Sequence, residues 1–347
     1  MIRVKIQNPT LGRNEITFRP LLQFANQLRD YSIDITESNS YDYLFVGMHD
    51  FIDKKKPLQE SIDYGLESIS KITGDYFLFD GSDSTSLMGA YEVFEQSNAI
   101  CLFKNQLLKD RNEYNNAYAF GKWFFDNGTN LDLKYNIPED MWSRIKLSNI
   151  NCGRTIFGQG IPADKKIMPP MNTNKSMDIC AIFQAEHPFC EDHGVRNDIP
   201  YTTHRKGLWD KLEPMKSKYS MLTEKMEFRT YIEKLAESKI CISPFGQGEL
   251  CFRDYEAMFA GTILLKPDQS RIETAPDMFE EGRTYIGCKH DWSDLEEKIE
   301  YILDNFSELN EKLTSNIRDK FIQSYTVENF CMHYYNLFSN LSNIEKS

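Results

Sequence analysis

Short apolar runs alternate with longer stretches of helical periodicity in the first half of this chain. The apolar runs predict β-strands, because they are brief and are bounded by polar turns. They span residues 2–6, 43–46, 76–79 and 99–103. Helical spacing of apolar residues covers 21–29 and 59–70. Strands that alternate with helices predict a parallel α/β sheet.

The same alternation starts again after a break rich in Pro and Asn at residues 169–174, which is typical of an interdomain linker. The second series begins at 177–184 and continues with strands at 240–242 and 262–265. Its helices are predicted near 206–212, near 231–238 and from Asp294 onward, and a last helix over 327–338 has an apolar stripe. We therefore expect two Rossmann-like domains that face each other across a cleft.

The composition narrows the class of protein. A chain of 347 residues exceeds one comfortable core, which agrees with two domains. Its formal net charge of −12 argues against general binding to nucleic acid or anionic membranes, since such binding needs clustered Lys and Arg. The three consecutive lysines at 54–56 form a local basic patch, which we interpret as a solvated loop. Peripheral contact with a membrane is left open.

Cysteine usage indicates a reducing compartment, and the hydropathy of the chain argues against a transmembrane helix. The eight cysteines show no CxxC and no spacing typical of a disulfide framework. No apolar run reaches the ~20 residues of a transmembrane helix. The first residues also lack the apolar core of a signal peptide. We expect a cytoplasmic protein.

Residues 238–261 carry the clearest functional signal. An apolar strand ends in Ser-Pro, and a loop with Gly246 and Gly248 leads into a helical stretch that stops at Gly261. Ligands of parallel α/β sheets bind at the carboxyl ends of strands, where loop amides and helix N-termini point toward them. The glycines would let the backbone approach a phosphate or a sugar, although an ordinary strand-to-helix turn would use them too.

The helix of this segment carries charges on one face. Arg253, Glu256, Ala257 and Ala260 follow the spacing i, i+3, i+4 and i+7, so a cation and a carboxylate lie above small residues. A guanidinium can clamp a phosphate, and a carboxylate can accept hydrogen bonds from two hydroxyls. The alternative is an i, i+3 ion pair, worth only ~0.5 kcal/mol on an exposed helix. That pair would not explain why the charges follow a glycine loop at a strand end.

The segment resembles the donor-binding signature of glycosyltransferases with the GT-B fold. It reads SKICISPFGQGELCFRDYEAMFAGTILLKPD, and residues 278–303 continue it as MFEEGRTYIGCKHDWSDLEEKIEYIL. The exostosin-like and spore-maturation-protein-like groups are the most similar. The resemblance covers roughly residues 177–306. It implies that residues 1–170 bind the acceptor and 171–325 bind a nucleotide sugar, while the tail at 326–347 packs back on the first domain.

Site residues follow from this resemblance. Glu256 would bind the ribose hydroxyls, and Arg253 would face the diphosphate or the sugar. The loop residues that would wrap the transferred sugar are Gly246, Gln247, Gly248 and Glu249. Retaining members have two glutamates separated by seven residues, whereas six residues separate Glu249 from Glu256. The contact of Glu249 with the sugar and a retaining mechanism are therefore both left open.

The family places a further cation after the first strand of this domain, where it neutralises the diphosphate that leaves. Arg205 is the candidate, with Lys206 or His204 assisting. The same domain contains residues 187–193, whose His, Cys, Asp and Glu side chains are of the types that bind metals. No second Cys/His pair accompanies them. The resemblance implies no bound metal and no cofactor besides the sugar donor.

An inverting transfer needs a general base that deprotonates the acceptor hydroxyl. Asp80 and Asp83 follow a predicted strand in the polar run DGSDS and are our candidates. His49 and Asp50 follow another strand and qualify by position as well. Asp after a strand also commonly caps the next helix, which is the structural alternative for each of them.

The resemblance therefore implies a glycosyltransferase that moves a sugar from a nucleotide-diphospho-sugar to a hydroxyl of a glycan, a lipid carrier or a protein. One alternative is a protein that binds nucleotide sugars without transferring them. A Rossmann-type oxidoreductase is the other, although no GxGxxG lies between the first strand and the first helix.

Overall fold

The computed structural model describes residues 1–9, 13–53, 55–125, 131–148, 175–186, 191–196 and 198–344. Within these residues, two parallel β-sheets form, one from each half of the chain, and helices accompany both. Among the same residues, no helix combines the length and the hydropathy needed to cross a bilayer.

The first sheet takes six of the described strands in the order β2-β1-β3-β4-β5-β9, and every pairing in it is parallel. The strands of the first half are β1 (Ile2–Ile6), β2 (Ile33–Ile35), β3 (Tyr43–Gly47), β4 (Asp75–Asp80), β5 (Leu102–Lys104), β6 (Gln106–Leu108), β7 (Tyr118–Ala119), β8 (Asp132–Leu133) and β9 (Ile145–Leu147). Central strand β4 is buried at every position after Asp75, as expected for a strand covered on both faces.

Helices connect these strands and cover the sheet. They are α1 (Arg13–Gln23), α2 (Ala25–Asp30), α3 (Leu58–Ile69), α4 (Ala90–Glu95) and α5 (Glu139–Arg144). In α3 the buried residues Ile62, Gly65 and Ile69 follow helical spacing, so one stripe of this helix faces the core. Crossovers of this kind between parallel strands bring the carboxyl ends of the strands to one edge of the sheet.

The second sheet repeats this design with the order β13-β10-β14-β15-β17, again with parallel pairings throughout. The strands of the second half are β10 (Met177–Cys180), β11 (Glu191–Asp192), β12 (Val195–Arg196), β13 (Met221–Leu222), β14 (Ser238–Ile242), β15 (Ile263–Pro267), β16 (Ile272–Thr274) and β17 (Ile286–Cys288). Its helices are α6 (Asp198–Met215), α7 (Phe228–Ala236), α8 (Phe252–Phe259), α9 (Leu295–Asp304), α10 (Phe306–Ser324) and α11 (Val327–Ile344).

The last helix, α11, returns to the first domain. The ring centroids of Phe330 in this helix and of Phe24 are 5.5 Å apart. Phe338 stacks on Tyr43, with ring centroids 5.1 Å apart. Phe338 is only 2% exposed, so this end of α11 is part of the core of the first domain. Two Rossmann-like domains and a returning C-terminal helix confirm the GT-B architecture that the sequence predicts.

The two domains also share a small sheet. Strand β16 of the second domain pairs antiparallel with β6 of the first, with Ile272 opposite Leu108. Two ion pairs flank this pairing, Arg111 with Glu273 and Arg271 with Glu113. Main-chain hydrogen bonds therefore fix one side of the cleft.

Most predicted elements are present, but their ends shift. The helix predicted at 21–29 is the pair α1 and α2, and the helix predicted near 206–212 is the much longer α6. The tail helix continues to Ile344. The predicted boundary at residue 170 and the linker at 169–174 lie outside the described residues.

Candidate functional site

The segment between β14 and α8, residues 243–251, forms what we call the glycine loop. A buried ion pair fixes its shape: Lys266 Nζ lies 2.5 Å from Asp254 Oδ2, and neither side chain is exposed. Asp254 also accepts hydrogen bonds from the Ser243 hydroxyl at 2.6 Å and from the Cys251 amide at 2.9 Å. The first turn of α8 is thus fastened to both ends of the loop, which gives the loop a rigid support.

Each glycine of this loop permits one close approach. A Cβ on Gly246 would lie 3.1 Å from Arg205 Nη2, so the missing side chain makes room for a guanidinium. A Cβ on Gly248 would overlap the carbonyl group of Asp83 in the first domain. The second glycine is therefore required by the neighbouring domain.

A cavity of about 500 Å³ lies beside the glycine loop. It is lined by Asp83 from the first domain and by most of the second-domain residues that the sequence predicts for the site. These lining residues are Arg205, Gly246, Gln247, Gly248, Arg253 and Glu256. We call it the large cavity.

Two guanidinium groups line the large cavity without a carboxylate partner among the described residues. Arg205 is 6% exposed, and it donates from Nε to the Phe245 carbonyl at 2.8 Å and from Nη1 to the Gln184 carbonyl at 3.2 Å. Arg253 Nη1 is buried and has no hydrogen-bond partner within the described part of the chain. Burial lowers the pKa of Arg205 from its usual range, which reflects the cost of holding this cation away from water. An anion in the cavity would offset that cost.

Glu256 lines another side of the large cavity. Its Oε2 accepts a hydrogen bond from the Tyr231 hydroxyl at 3.0 Å. Burial raises the pKa of Tyr231, so this hydroxyl stays protonated and continues to donate. Met226 and Phe228 line the cavity together with Tyr231, and Phe228 is 52% exposed. This side of the cavity therefore combines a carboxylate with apolar and aromatic surface.

The cations predicted around Arg205 lie in different environments. Arg205 is in the middle of α6 and not at a helix start, because this helix begins at Asp198. Lys206 is exposed and does not line the cavity, since the next residue of a helix points about 100° away. His204 is buried, and its pKa lies well below the usual range because of burial and of nearby His290 and Arg205. Its Nε2 accepts from the Phe245 amide at 3.3 Å, so it supports the loop as a neutral ring.

The structure places Glu249 away from the large cavity. Its carboxylate is fully buried and accepts hydrogen bonds from the first domain: from the Thr85 amide at 3.1 Å, the Thr85 hydroxyl at 2.5 Å, Gln106 Nε2 at 2.8 Å and Trp123 Nε1 at 2.9 Å. Burial raises the pKa of Glu249, although the Thr85 hydrogen bonds act in the opposite direction. The carboxylate whose contact with the sugar the sequence left open is hydrogen-bonded to groups of the other domain.

The candidate bases Asp80 and Asp83 differ in their surroundings. Asp80 is buried, with Lys104 Nζ 2.5 Å from Oδ2. Burial by itself would raise the pKa of Asp80, but Lys104 and then His49 lower it more strongly, so the pKa falls below its usual range. A buried carboxylate held by an ammonium group is a weak base. Asp83 is partly exposed and lines the large cavity.

A second, smaller cavity of about 140 Å³ adjoins the first, since Asp83 and Gln247 line both. We call it the small cavity. His49 lines it together with apolar Met48 and Met88. Asp50 does not line it: its Oδ2 accepts from Asn14 Nδ2 at 2.8 Å, and burial raises its pKa.

The metal-like run at 187–193 lies mostly outside the described residues. Of its members, His193 is buried, and its Nδ1 lies 2.8 Å from the carbonyl oxygen of Lys56. Within the described part of the chain, no group of three His, Cys, Asp or Glu side chains is arranged to hold a metal ion.

Several residues of this region could not be found by sequence reasoning. Tyr231, Thr85, Gln106 and Trp123 act through contacts that span 25 to 164 positions of the chain, and no local motif marks them. Asp254 did carry a signal, because it stands three residues after Cys251 in a capping-box position at the start of α8.

Solved structures with a similar overall arrangement include three proteins that cover nearly all of this chain. The structure of HepE from Anabaena in complex with UDP-glucose has a TM-score of 0.48 and 10% identity, and the match covers 98% of this chain and 100% of that one. Sucrose-phosphate synthase from Thermosynechococcus elongatus has a TM-score of 0.46 and 11% identity, and the match covers 97% of this chain and 82% of that one. An α-glucosyltransferase in complex with UDP and a DNA 13-mer has a TM-score of 0.45 and 9% identity, and the match covers 96% of this chain and 98% of that one.

No protein-family model and no curated protein sequence matches this chain. The likeness to the exostosin-like and spore-maturation-protein-like groups therefore stays a prediction from the motif. Because the TM-scores above are below 0.5, the functional proposal for this chain rests on its own cavities.

Proposed function

We propose that this protein transfers a sugar from a nucleotide-diphospho-sugar to an acceptor hydroxyl. The observation that carries the proposal is the pair Arg205 and Arg253: two guanidinium groups that line one cavity, with Arg253 Nη1 buried and without a hydrogen-bond partner among the described residues. A buried cation without a partner is costly, and a diphosphate would supply several acceptor oxygens at once.

The rest of the large cavity suits the other parts of a nucleotide sugar. Glu256 would accept hydrogen bonds from the ribose hydroxyls, oriented by the Tyr231 hydroxyl that it already binds. The half-exposed ring of Phe228 and the side chain of Met226 offer an apolar surface for a nucleobase. The amides of Gln247 and Gly248 would face the sugar.

Stabilisation of the leaving group follows from the same two arginines. Departure of a nucleoside diphosphate develops negative charge, and fixed cations at that position lower the barrier. Arg205 is held by two backbone carbonyls, so its guanidinium is positioned before the reaction begins. We propose on this ground that the transfer needs no metal ion and no cofactor besides the sugar donor.

The acceptor would enter through the small cavity, which we assign to the first domain. Asp83 lines both cavities, so this residue would lie where an acceptor hydroxyl meets the transferred sugar. We therefore propose Asp83 as the general base and leave out Asp80, because Lys104 holds Asp80 in a buried ion pair. Residues 1–170 would then bind the acceptor and residues 171–325 the sugar donor. A glycan, a lipid carrier or a protein could each provide the hydroxyl.

The first test is calorimetric titration of a panel of nucleotide sugars, including UDP-glucose. Arg253→Ala and Glu256→Ala should each weaken binding by about tenfold or more, as expected when a charge-assisted hydrogen bond is lost. Arg229→Ala and Glu233→Ala are matched controls on neighbouring α7, where the side chains are 86% and 62% exposed. Equal affinities for the wild type and both site variants would contradict the assignment.

A second measurement separates an enzyme from a binding protein. The wild type should release free nucleoside diphosphate when it is mixed with candidate acceptors and a nucleotide sugar that it binds. Asp83→Asn should slow this release by about a hundredfold or more. Tight binding with no release by the wild type would favour a protein that binds nucleotide sugars without transferring them.

A further inference from the structure

Glu249 belongs to the glycine loop in sequence but faces the first domain in space. Its carboxylate accepts hydrogen bonds from Thr85, Gln106 and Trp123. The residue is 0% exposed, so these hydrogen bonds are shielded from water. A buried carboxylate with this many hydrogen-bond donors is fixed in one orientation.

The hydrogen-bond donors come from three separate segments of the first domain. Thr85 lies in the loop after β4, Gln106 begins β6, and Trp123 follows β7. Loss of the carboxylate would leave buried N–H and O–H groups without acceptors, which is more costly than the loss of an exposed pair. One side chain of the second domain therefore ties three segments of the first domain to the glycine loop.

This contact sets the position of Asp83. Asp83 stands two residues before Thr85, and its carbonyl oxygen accepts a hydrogen bond from Gln106 Nε2, the same group that donates to Glu249. Gly248, next to Glu249, abuts the Asp83 carbonyl so closely that no side chain would fit. The distance between Asp83 and the glycine loop is thus fixed from two directions.

We propose that Glu249 is a positioning residue for sugar transfer: it holds Asp83 at a fixed place relative to the nucleotide-sugar cavity. This inference rests on the proposed function. Glu249 acts through Thr85 and Asp83 and does not line either cavity. The β6–β16 pairing fastens the domains at a second point, so the two contacts together define the orientation of the cleft.

Glu249→Ala and Glu249→Gln test the proposal, with Glu233→Gln on the exposed face of α7 as the matched control. We expect kcat for sugar transfer to fall by about a hundredfold in Glu249→Ala, as for a misplacement of about 1 Å. The Kd for the nucleotide sugar should stay within about threefold of the wild type, because Glu249 does not touch the cavity. The control should change neither value.

Glu249→Gln should recover part of the lost activity. Its amide keeps one oxygen that can accept from the Thr85 hydroxyl and Trp123 Nε1, whereas its NH₂ group can no longer accept from Gln106 Nε2, so the recovery should be partial. Thr85→Val removes one hydrogen-bond donor from the opposite side and should also lower kcat at unchanged Kd. These two variants keep the test valid if Glu249→Ala does not fold.

Hydrogen exchange at the Thr85 amide gives a readout that does not depend on activity. This amide donates to Glu249, so its exchange should accelerate in the Glu249 variants while amides of β14 and β15 stay protected. Unchanged exchange at Thr85 would overturn the positioning role, whatever the titrations show. A rise in Kd that parallels the fall in kcat would also overturn it, because Glu249 would then contact the nucleotide sugar. If the wild type binds no nucleotide sugar, the proposed function itself fails.

Discussion

At the scale of single residues, buried charges define this protein. Lys266 with Asp254, and Lys104 with Asp80, are ion pairs in which the lysines are 0% exposed. Each pair lies next to a loop at the carboxyl end of a strand and holds that loop in place. Arg253 differs from both lysines, because no carboxylate among the described residues pairs with it. The contrast separates charges that support the site from a charge that would bind ligand.

The supporting role of Lys266 leads to a stability prediction. Lys266→Met should lower the free energy of unfolding by about 3–5 kcal/mol, because Asp254 would remain buried as an unpaired charge. Urea denaturation followed by circular dichroism would measure this loss. The double variant Lys266→Met with Asp254→Asn should recover part of it, since no charge is then left unpaired. A loss below about 1 kcal/mol in the single variant would contradict the assignment.

At the scale of elements, helix α11 links the C-terminal part of the chain to the first domain. Its Phe330 and Phe338 pack on Phe24 and Tyr43. The sequence predicts the helix and its apolar stripe, and the structure supplies the surface that the stripe covers. The helix also carries His333, which is partly buried.

His333 makes the docking of α11 sensitive to acid. Burial lowers the pKa of His333 to about 4, whereas an unfolded chain has a His pKa of about 6.5. The unfolded state therefore binds a proton first as the pH falls. The contribution of His333 is complete above about pH 6.5 and is lost progressively down to about pH 4.

We expect this group to remove about 2 kcal/mol of stability between pH 7 and pH 5. His333→Gln cannot titrate, so the variant should lose less stability over the same interval. The measurement is urea denaturation of both proteins at the two pH values. An identical pH dependence in the variant would show that other groups cause the effect.

At the scale of the whole molecule, the two domains are joined by more than a linker. One apolar cluster includes Phe45 of the first sheet, Phe338 and Phe321 of the C-terminal helices, and Phe259 and Cys241 of the second domain. The β6–β16 pairing and the Glu249 contacts add main-chain and buried polar links. The cleft therefore lies between two domains that share a core.

This shared core predicts that the domains unfold together. Scanning calorimetry should show a single transition whose calorimetric and van 't Hoff enthalpies agree. The transition should stay single at 1 M salt, because the interdomain ion pairs of Arg111 and Arg271 are partly exposed and contribute little. Two separate transitions would show that each domain folds on its own.

Local patterns in the sequence determined the α/β class, the order of the main strands and helices and the location of the glycine-loop motif. Apolar runs, helical periodicity and glycines act over a few residues, so they can be seen without the fold. Arg253 and Glu256 were found for the same reason, whereas Arg205 followed from the family resemblance. The structure brings all three to one cavity.

The tertiary structure alone decided which predicted charges face that cavity. Glu249 and Glu256 stand in the same motif, yet one is held by Thr85, 164 positions away, and the other lines the cavity. Lys206 follows Arg205 directly but points outward, and Asp80 is held by Lys104. These outcomes depend on which elements meet in space, because burial and hydrogen-bond partners are set by contacts between distant segments of the chain.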